Sequence, residues 1–277
     1  MRDDTPPPGV LKAPPGQIGE LYLRSLFLEA GTTISDSMTT KERILLRSLE
    51  LFNEKGERHI TTNHVAADLS ISPGNLYYHY RSKQAIIYEI FTHYERLVEH
   101  YLQLPDRALS VQDEFDYLDS VFDGLWSYRF LHRDLYHYLD ADPRLKTEYS
   151  QFTSRCLDRL EEIISSLEQS GILAFHPHSG SGNGASAAAL KRTLALNVWL
   201  VVTNWMSFLV SSVEVAGGTL SIRHMKSGIH QALAIQEPYV TEAFAEEVAR
   251  LASDYPDYRS LGSGTSKIVS RKAQASL

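Results

Sequence analysis

The sequence predicts an all-α protein, with a small N-terminal helix-turn-helix domain followed by a larger helical domain. Three observations lead there. Apolar residues recur at threes and fours through most of the 277 residues, the spacing that gathers them on one helix face. Residues 61–83, TTNHVAADLSISPGNLYYHYRSK, hold two short helical patterns around a turn. Residues 193–213 carry no charge over a length suited to a long buried helix or a membrane span.

Taken in order, residues 1–37 open on a Pro-rich run (Pro6 to Pro8, Pro14, Pro15) and are expected to form a flexible extension. Residues 21–30, LYLRSLFLEA, make at most one short amphipathic helix. Met38 directly precedes the first convincing helix, so an alternative translation start there is an expectation. That helix runs from about Thr40 to Lys55, with Ile44, Leu45, Ser48, Leu49 and Phe52 on one face and Gly56 ending it.

In the next stretch, Thr61 or Thr62 supplies a hydroxyl that caps a first short helix, whose inner face is Val65, Ala66 and Leu69. Ala66 and Ala67 leave room for a second helix to cross closely, and Ser70 and Ile71 make the turn. Ser72 caps that second helix and Pro73 occupies its first position, where a missing N–H costs nothing. Leu76 and Tyr80 point inward, which leaves Gly74, Asn75, Tyr77, Tyr78 and His79 facing out. Tyrosine hydroxyls and a histidine N–H suit phosphate oxygens; an asparagine amide suits a base edge. Lys83 follows a cap at Ser82 and begins the next helix, an unfavourable end for a cation unless a phosphate lies in front of it.

SPGNLYYHYRSK resembles the recognition helix and following turn of the TetR family of bacterial transcriptional regulators. The resemblance covers residues 41–95 by pattern and the rest by helix layout. It implies phosphate contacts at Tyr77, Tyr78, His79 and Lys83 and a base-facing helix end at Pro73, Gly74 and Asn75, and Thr61, Thr62 and Ser72 at the helix starts are expected to bind DNA with them. There are two departures. Ser70 stands where the family usually has glycine, so a left-handed backbone there would be strained. Pro73 has no group with which to hydrogen-bond a base.

From Lys83 a long helix is expected to about Leu104, stopped by Pro105, with a buried stripe from Ile86 to Tyr101. One rod would then belong to both domains. Helices follow over about Ser110 to Phe130 and Arg133 to Leu139. This region is dense in Trp126, Tyr128, Phe130, Tyr136 and Tyr138, which read either as the walls of a small-molecule cavity or as plain core. Arg129, His132 and Arg133 could orient an anionic ligand or simply be solvated. A long packed helix runs from Pro143 to Ser170, and Cys156 belongs to its apolar face. A loop is expected over 171–186, where His176 and His178 lack companions for a metal site.

The uncharged segment 193–213 contains Thr193, Asn197, Thr203, Asn204 and three serines, too many polar groups for a lone membrane span. By the resemblance, a helix here packs against its twin in a second subunit; membrane attachment through this segment is the alternative. Helices over about 221–236 and Pro238 to Ala252 complete the body, and 255–277 reads as a flexible tail. The domains are thus expected at 38–84, helix-turn-helix, and 85–254, ligand-binding and dimerisation.

Charge agrees with this division. The chain carries −7, yet residues 38–83 hold seven Lys or Arg against five acids, so the excess of acid lies elsewhere. A modest basic patch on an acidic body suits binding at a specific site and repulsion from other DNA. A single cysteine excludes an intrachain disulfide and suits a reducing cytoplasm. No nucleophile elbow, phosphate-binding glycine loop or metal spacing appears, so the expectation is a regulator without cofactor or catalysis. Its expected partners are a double-stranded DNA operator of near-palindromic sequence, a second copy of itself, and a small-molecule effector that releases a repressor from DNA.

Overall fold

Reciprocal capping starts the fold. In the computed structural model, which describes residues 38–176, 186–212 and 220–262, Thr39 Oγ1 accepts from the Glu42 N–H while Glu42 accepts in return from the Thr39 N–H. This box begins α1 (Thr40–Lys55), and Gly56, at φ 80, ends it as expected. The expectations for 1–37, for His178 and for the tail beyond 262 fall outside the described residues.

A one-turn 3-10 helix (Glu57–His59) leads to α2 (Thr62–Asp68) and α3 (Pro73–His79). Ile44, Leu45, Phe52, Val65, Ala66, Leu76 and Tyr80 are all buried, and together they form the core that holds these three helices. Ala66 lies inside, whereas Ala67 is exposed and plays no part in the crossing. Ser70 sits at φ 55, the left-handed turn that its position demanded of a glycine. The Ser70 N–H bonds to the Ala67 carbonyl and the Ile71 N–H to that of Ala66, so the turn itself is well satisfied.

Then α4 (Lys83–Tyr101) begins behind the Ser82 hydroxyl, which accepts from the Ala85 N–H. The chain divides into two compact units, and the division falls inside α4, between Ile90 and Phe91. This is several residues later than the sequence suggested, because the first two turns of α4 bury Ile86, Ile87 and Ile90.

The second unit is built from α5 (Val111–Ser127), α6 (Arg129–Arg133), α7 (Leu135–Ala141), α8 (Pro143–Gln169), α9 (Ala187–Ser212), α10 (Ile222–Gln236), α11 (Glu242–Ala252) and α12 (Tyr258–Gly262). The expected helix to Phe130 breaks at Tyr128, whose ψ of 29 leaves the helical range, and the chain resumes as α6. Residues 171–176 are not wholly loop, since Leu173 pairs with Val240 in an isolated bridge. Part of the expected tail is also folded: Tyr258 of α12 lays its ring against Trp205 and Phe208 at 5.7 and 5.2 Å.

By length and composition α9 could cross a membrane, yet one side of it is packed within the unit, with Leu194, Val198, Val202, Trp205, Met206 and Leu209 buried. It packs most closely on α10. A Cβ on Gly228 would stand 2.5 Å from the Phe122 ring and 2.6 Å from that of Trp205, so only glycine admits this crossing. Lys226 fixes the same helix to α5, its ammonium 2.8 Å from Asp119 and 3.1 Å from buried Asp123.

Candidate nucleic-acid interface and candidate ligand cavity

The outward face of α3 is built by the inward one. Leu76 and Tyr80 are buried, which turns Asn75, Tyr77 and Tyr78 to solvent; Tyr78 is 76 % exposed. Ser72 Oγ accepts from the Asn75 N–H at 3.1 Å, and Pro73 sits in the first helical turn. Gly74 is exposed, and a Cβ added to it would meet no atom closer than 3.9 Å, so its backbone is open to a surface laid across the helix start. The ring of His79 meets that of Tyr78 edge-on at 5.2 Å.

Arg81 is a residue that sequence reasoning passed over. Its guanidinium stacks 4.7 Å above the Tyr77 ring, on the side of α3 that faces out. The signal was present in the sequence, four residues after Tyr77, but beyond the helix end, where spacing gives no direction.

At the first helix, Thr61 Oγ1 accepts from the His64 N–H and His64 Nδ1 accepts from the Thr61 N–H. The Thr61 hydroxyl therefore serves the cap, and Thr62 is the half-buried first residue of α2. Lys83 departs from expectation. Its ammonium turns back into the unit, 2.5 Å from Glu57 Oε1 and within 3.1 Å of the Glu57 and Ile60 carbonyls. A cation at a helix start is disfavoured, and here a buried carboxylate and two carbonyls relieve it in place of a phosphate. Lys41 and Arg47 are paired as well, with Glu89 and with Asp68. Arg47 holds the Asp68 carboxyl below its ordinary range. Much of the positive charge counted in this segment is thus neutralised inside the unit.

In the second unit, one cavity encloses a volume of about 70 Å³. Its wall is largely apolar, drawn chiefly from α4, α5, α8 and α9, with Tyr94, Tyr117 and Trp199 as its larger rings. Besides its tyrosine hydroxyls, three polar side chains interrupt it: Glu114, 5 % exposed, Gln236 at the end of α10, and Thr203, whose hydroxyl donates to the Trp199 carbonyl at 2.7 Å. Burial pushes the Glu114 carboxyl up to about 7, and a hydrogen bond with the Gln236 side chain opposes this.

The aromatic residues expected to line a cavity do not line this one. Tyr128, Phe130 and Tyr138 are core: Tyr128 lies 5.3 Å from Tyr94, and Phe130 meets Tyr138 edge-on at 5.8 Å. Trp126 is half-buried beneath the guanidinium of Arg129, 4.6 Å from its ring, and Tyr136 is 84 % exposed. Because the helix breaks at Tyr128, successive rings point to different neighbours, and Tyr94 joins the core cluster to the cavity wall. His132 is likewise core, packed edge-on against Tyr94 at 5.1 Å, its pKa pushed down to about 4 by burial. Glu114 was missed because it stands one turn before Leu118 at the margin of an apolar stripe, where a solvated carboxylate is the ordinary reading. Cys156 is buried and its thiol is raised to about 12, so it stays protonated.

Comparison with known proteins addresses both units. Residues 44–90 match the profile of bacterial regulatory proteins of the tetR family, and residues 93–248 match that of the TetR bacterial transcriptional repressor. A TetR-family transcriptional regulator from Marinobacter aquaeolei VT8 is similar at 50 % identity over 79 % of this chain and 99 % of that one, with a TM-score of 0.69. A TetR transcription regulator from Haloarcula marismortui shares the fold at 12 % identity and a TM-score of 0.53, covering 73 % of this chain and 98 % of that one. Among curated proteins, an HTH-type transcriptional regulator of Staphylococcus aureus is 23 % identical over 133 residues, 47 % of this chain and 70 % of that protein.

Proposed function

The chain belongs to the TetR family of bacterial transcriptional regulators, and from that premise we propose that it is a homodimeric, ligand-released repressor. As a family member it is a DNA-binding regulator. The finer reading rests above all on α3, where the buried Leu76, and Tyr80 just past the helix end, leave Asn75, Tyr77 and Tyr78 presented outward. In this reading Asn75 pairs with a base edge in the major groove, while Gly74 lets the backbone approach. Tyr77, Tyr78 and His79 hold phosphates, and Arg81 joins them over the Tyr77 ring. Lys83 is assigned a structural part, clamping Glu57 and the start of α4 beneath the reading helix.

Two heads are needed to read a near-palindrome, and a twofold dimer supplies them. The side of α9 that its own unit leaves open carries Leu196, Leu200 and Val210, and this face is proposed to meet its twin. Trp205 and Leu209, which the uncharged run alone would equally nominate, are buried within the subunit. A small molecule in the cavity would touch Tyr94 and Val98 of α4, the helix that begins in the reading unit. To invert a 99:1 population it must distinguish the two states by about 5.5 kcal/mol. That free energy has to come from differential contact, not from tight binding alone.

Selection from a random DNA pool by the purified protein tests this reading. Enrichment of an inverted repeat is expected; no enrichment, or a single unrepeated half-site, would sink it. Sedimentation tests the dimer separately: Leu200→Glu should give a folded monomer, because the charge lands on an open face and not in the core.

A further inference from the structure

The cavity combines three properties that together restrict what it accepts, and the restriction depends on its being the effector site proposed above. Among the described residues that line it, none is Lys, Arg or His. An anionic ligand would therefore enter an apolar slot without a counter-charge, beside a carboxyl group, at a cost of several kcal/mol. The only acid among those lining residues is Glu114, and it is paired with a neutral amide, that of Gln236. The Gln236 N–H is already shared with the Ala232 carbonyl at 3.4 Å, a long bond that a better acceptor could displace.

Glu114 and Gln236 sit together at one end. α4 and α5 run antiparallel along the cavity: the Tyr117 hydroxyl donates to the Gln103 carbonyl at 3.0 Å, while Gly124 lies against Leu97 and Tyr101. Glu114 is therefore beyond the Leu102 end and Leu125 towards Tyr94, about 16 Å apart along α5 at 1.5 Å per residue. Trp199 belongs to the far end with Tyr94, because both rings pack on Phe152, at 6.0 and 5.8 Å. The slot thus has a carboxyl and an amide at the Glu114 and Gln236 end and a largely apolar body leading to Tyr94 and Trp199, where the Thr203 hydroxyl is already committed to the Trp199 carbonyl at 2.7 Å.

We propose that this site takes an elongated, uncharged apolar molecule with one hydroxyl or carbonyl head, held by Glu114 and Gln236 at the polar end. An uncharged head leaves the site without a buried net charge, and a carboxyl that keeps its proton both donates to a carbonyl or hydroxyl and accepts from a hydroxyl. Burial favours that protonated form, consistent with the raised Glu114 pKa.

Three probes of one chain length, 1-decanol, decylamine and decanoate, separate the possibilities. Their binding to the full-length protein is followed by calorimetry and by the fluorescence of Trp199, with a Trp126→Phe, Trp205→Phe background to isolate that signal. Decanol is expected to bind at least about tenfold more tightly than decanoate or decylamine, and Glu114→Leu to weaken decanol about tenfold, the loss of one good hydrogen bond. Glu114→Gln, which keeps the shape and a hydrogen-bonding head, should retain decanol, and its retention guards against a misfolded cavity. Tighter binding of decylamine would make the head a counter-ion site and overturn the assignment, as would tighter binding of decanoate or an unchanged decanol affinity in Glu114→Leu. These outcomes are read without DNA. If decanol bound as expected but left operator binding unaltered, the cavity assignment would stand and the effector role would fail.

Discussion

Tyrosine does opposite work in the two units. On α3, Tyr77 and Tyr78 stand in solvent, with Arg81 stacked on one and His79 against the other. In the second unit, Tyr94, Tyr128 and Tyr138 are buried, in ring contact with Phe91, Phe130, Phe152 and His132. The same side chain is therefore presented to solvent in one place and is a packing volume in the other. What differs is the helix that carries it. α3 has seven residues and one buried anchor of its own, Leu76, with Tyr80 just past its end, too few to fold the rest of its surface inward. The second unit surrounds its rings with helices on several sides, so their apolar bodies outweigh their hydroxyls.

The strongest test of that contrast pairs one ring from each group. Phe130→Ala should cost about 3–5 kcal/mol in a urea melt, the usual loss for an emptied aromatic site. Tyr78→Ala should change stability by less than about 0.5 kcal/mol while weakening operator binding. If Tyr78→Ala also unfolded the protein, the exposed tyrosines would be part of a packed surface and the assignment to phosphate would fall.

A pH series sharpens it further, because two buried groups of the second unit titrate in opposite senses. His132 is held neutral down to about 4, against about 6.5 unfolded. Its contribution is intact above 6.5 and is lost as pH falls from there towards 4, by up to about 3 kcal/mol. Glu114 is raised to about 7, against about 4.3 unfolded. Its contribution is present at low pH and is lost as pH rises from there through 7, by a similar amount. Across roughly pH 4.5 to 6.5 the two nearly cancel in the wild type. His132→Leu should leave stability falling with rising pH, and Glu114→Gln should leave it rising; equal slopes in both variants would show that these groups are hydrated after all.

Two smaller effects belong to the reading unit. Asn75→Ala should cost about 1–3 kcal/mol at one or two base pairs and little at others, measured by selection on point-mutated operators. A uniform loss over all sequences would move Asn75 to the phosphates. Ser70→Gly should stabilise by less than about 1 kcal/mol, since it relieves the φ of 55 but adds freedom to the unfolded chain. Loss of stability would mean that the Ser70 side chain contributes more than its backbone strain costs.

The sequence was enough for features that depend on near neighbours along the chain. Caps at Thr61, Ser72 and Ser82, the stop at Gly56, and the strained turn at Ser70 all lie within four residues of what they act upon. The same holds for the exposed face of α3, which follows from the spacing of Leu76 and Tyr80. Where a side chain chooses between distant partners, local spacing has no say. Lys83 reaches back to Glu57, twenty-six residues earlier, and Arg81 finds the Tyr77 ring past a helix end. The break at Tyr128 redirects the following rings into the core, and the cavity is closed by α4, α5, α8, α9 and the last residue of α10. No window of sequence contains Glu114, Trp199 and Gln236 together. Local hydrogen bonding and periodicity determined the helices and the reading head; packing between remote helices decided which charges are paired, which tyrosines are hidden and where an empty space remains.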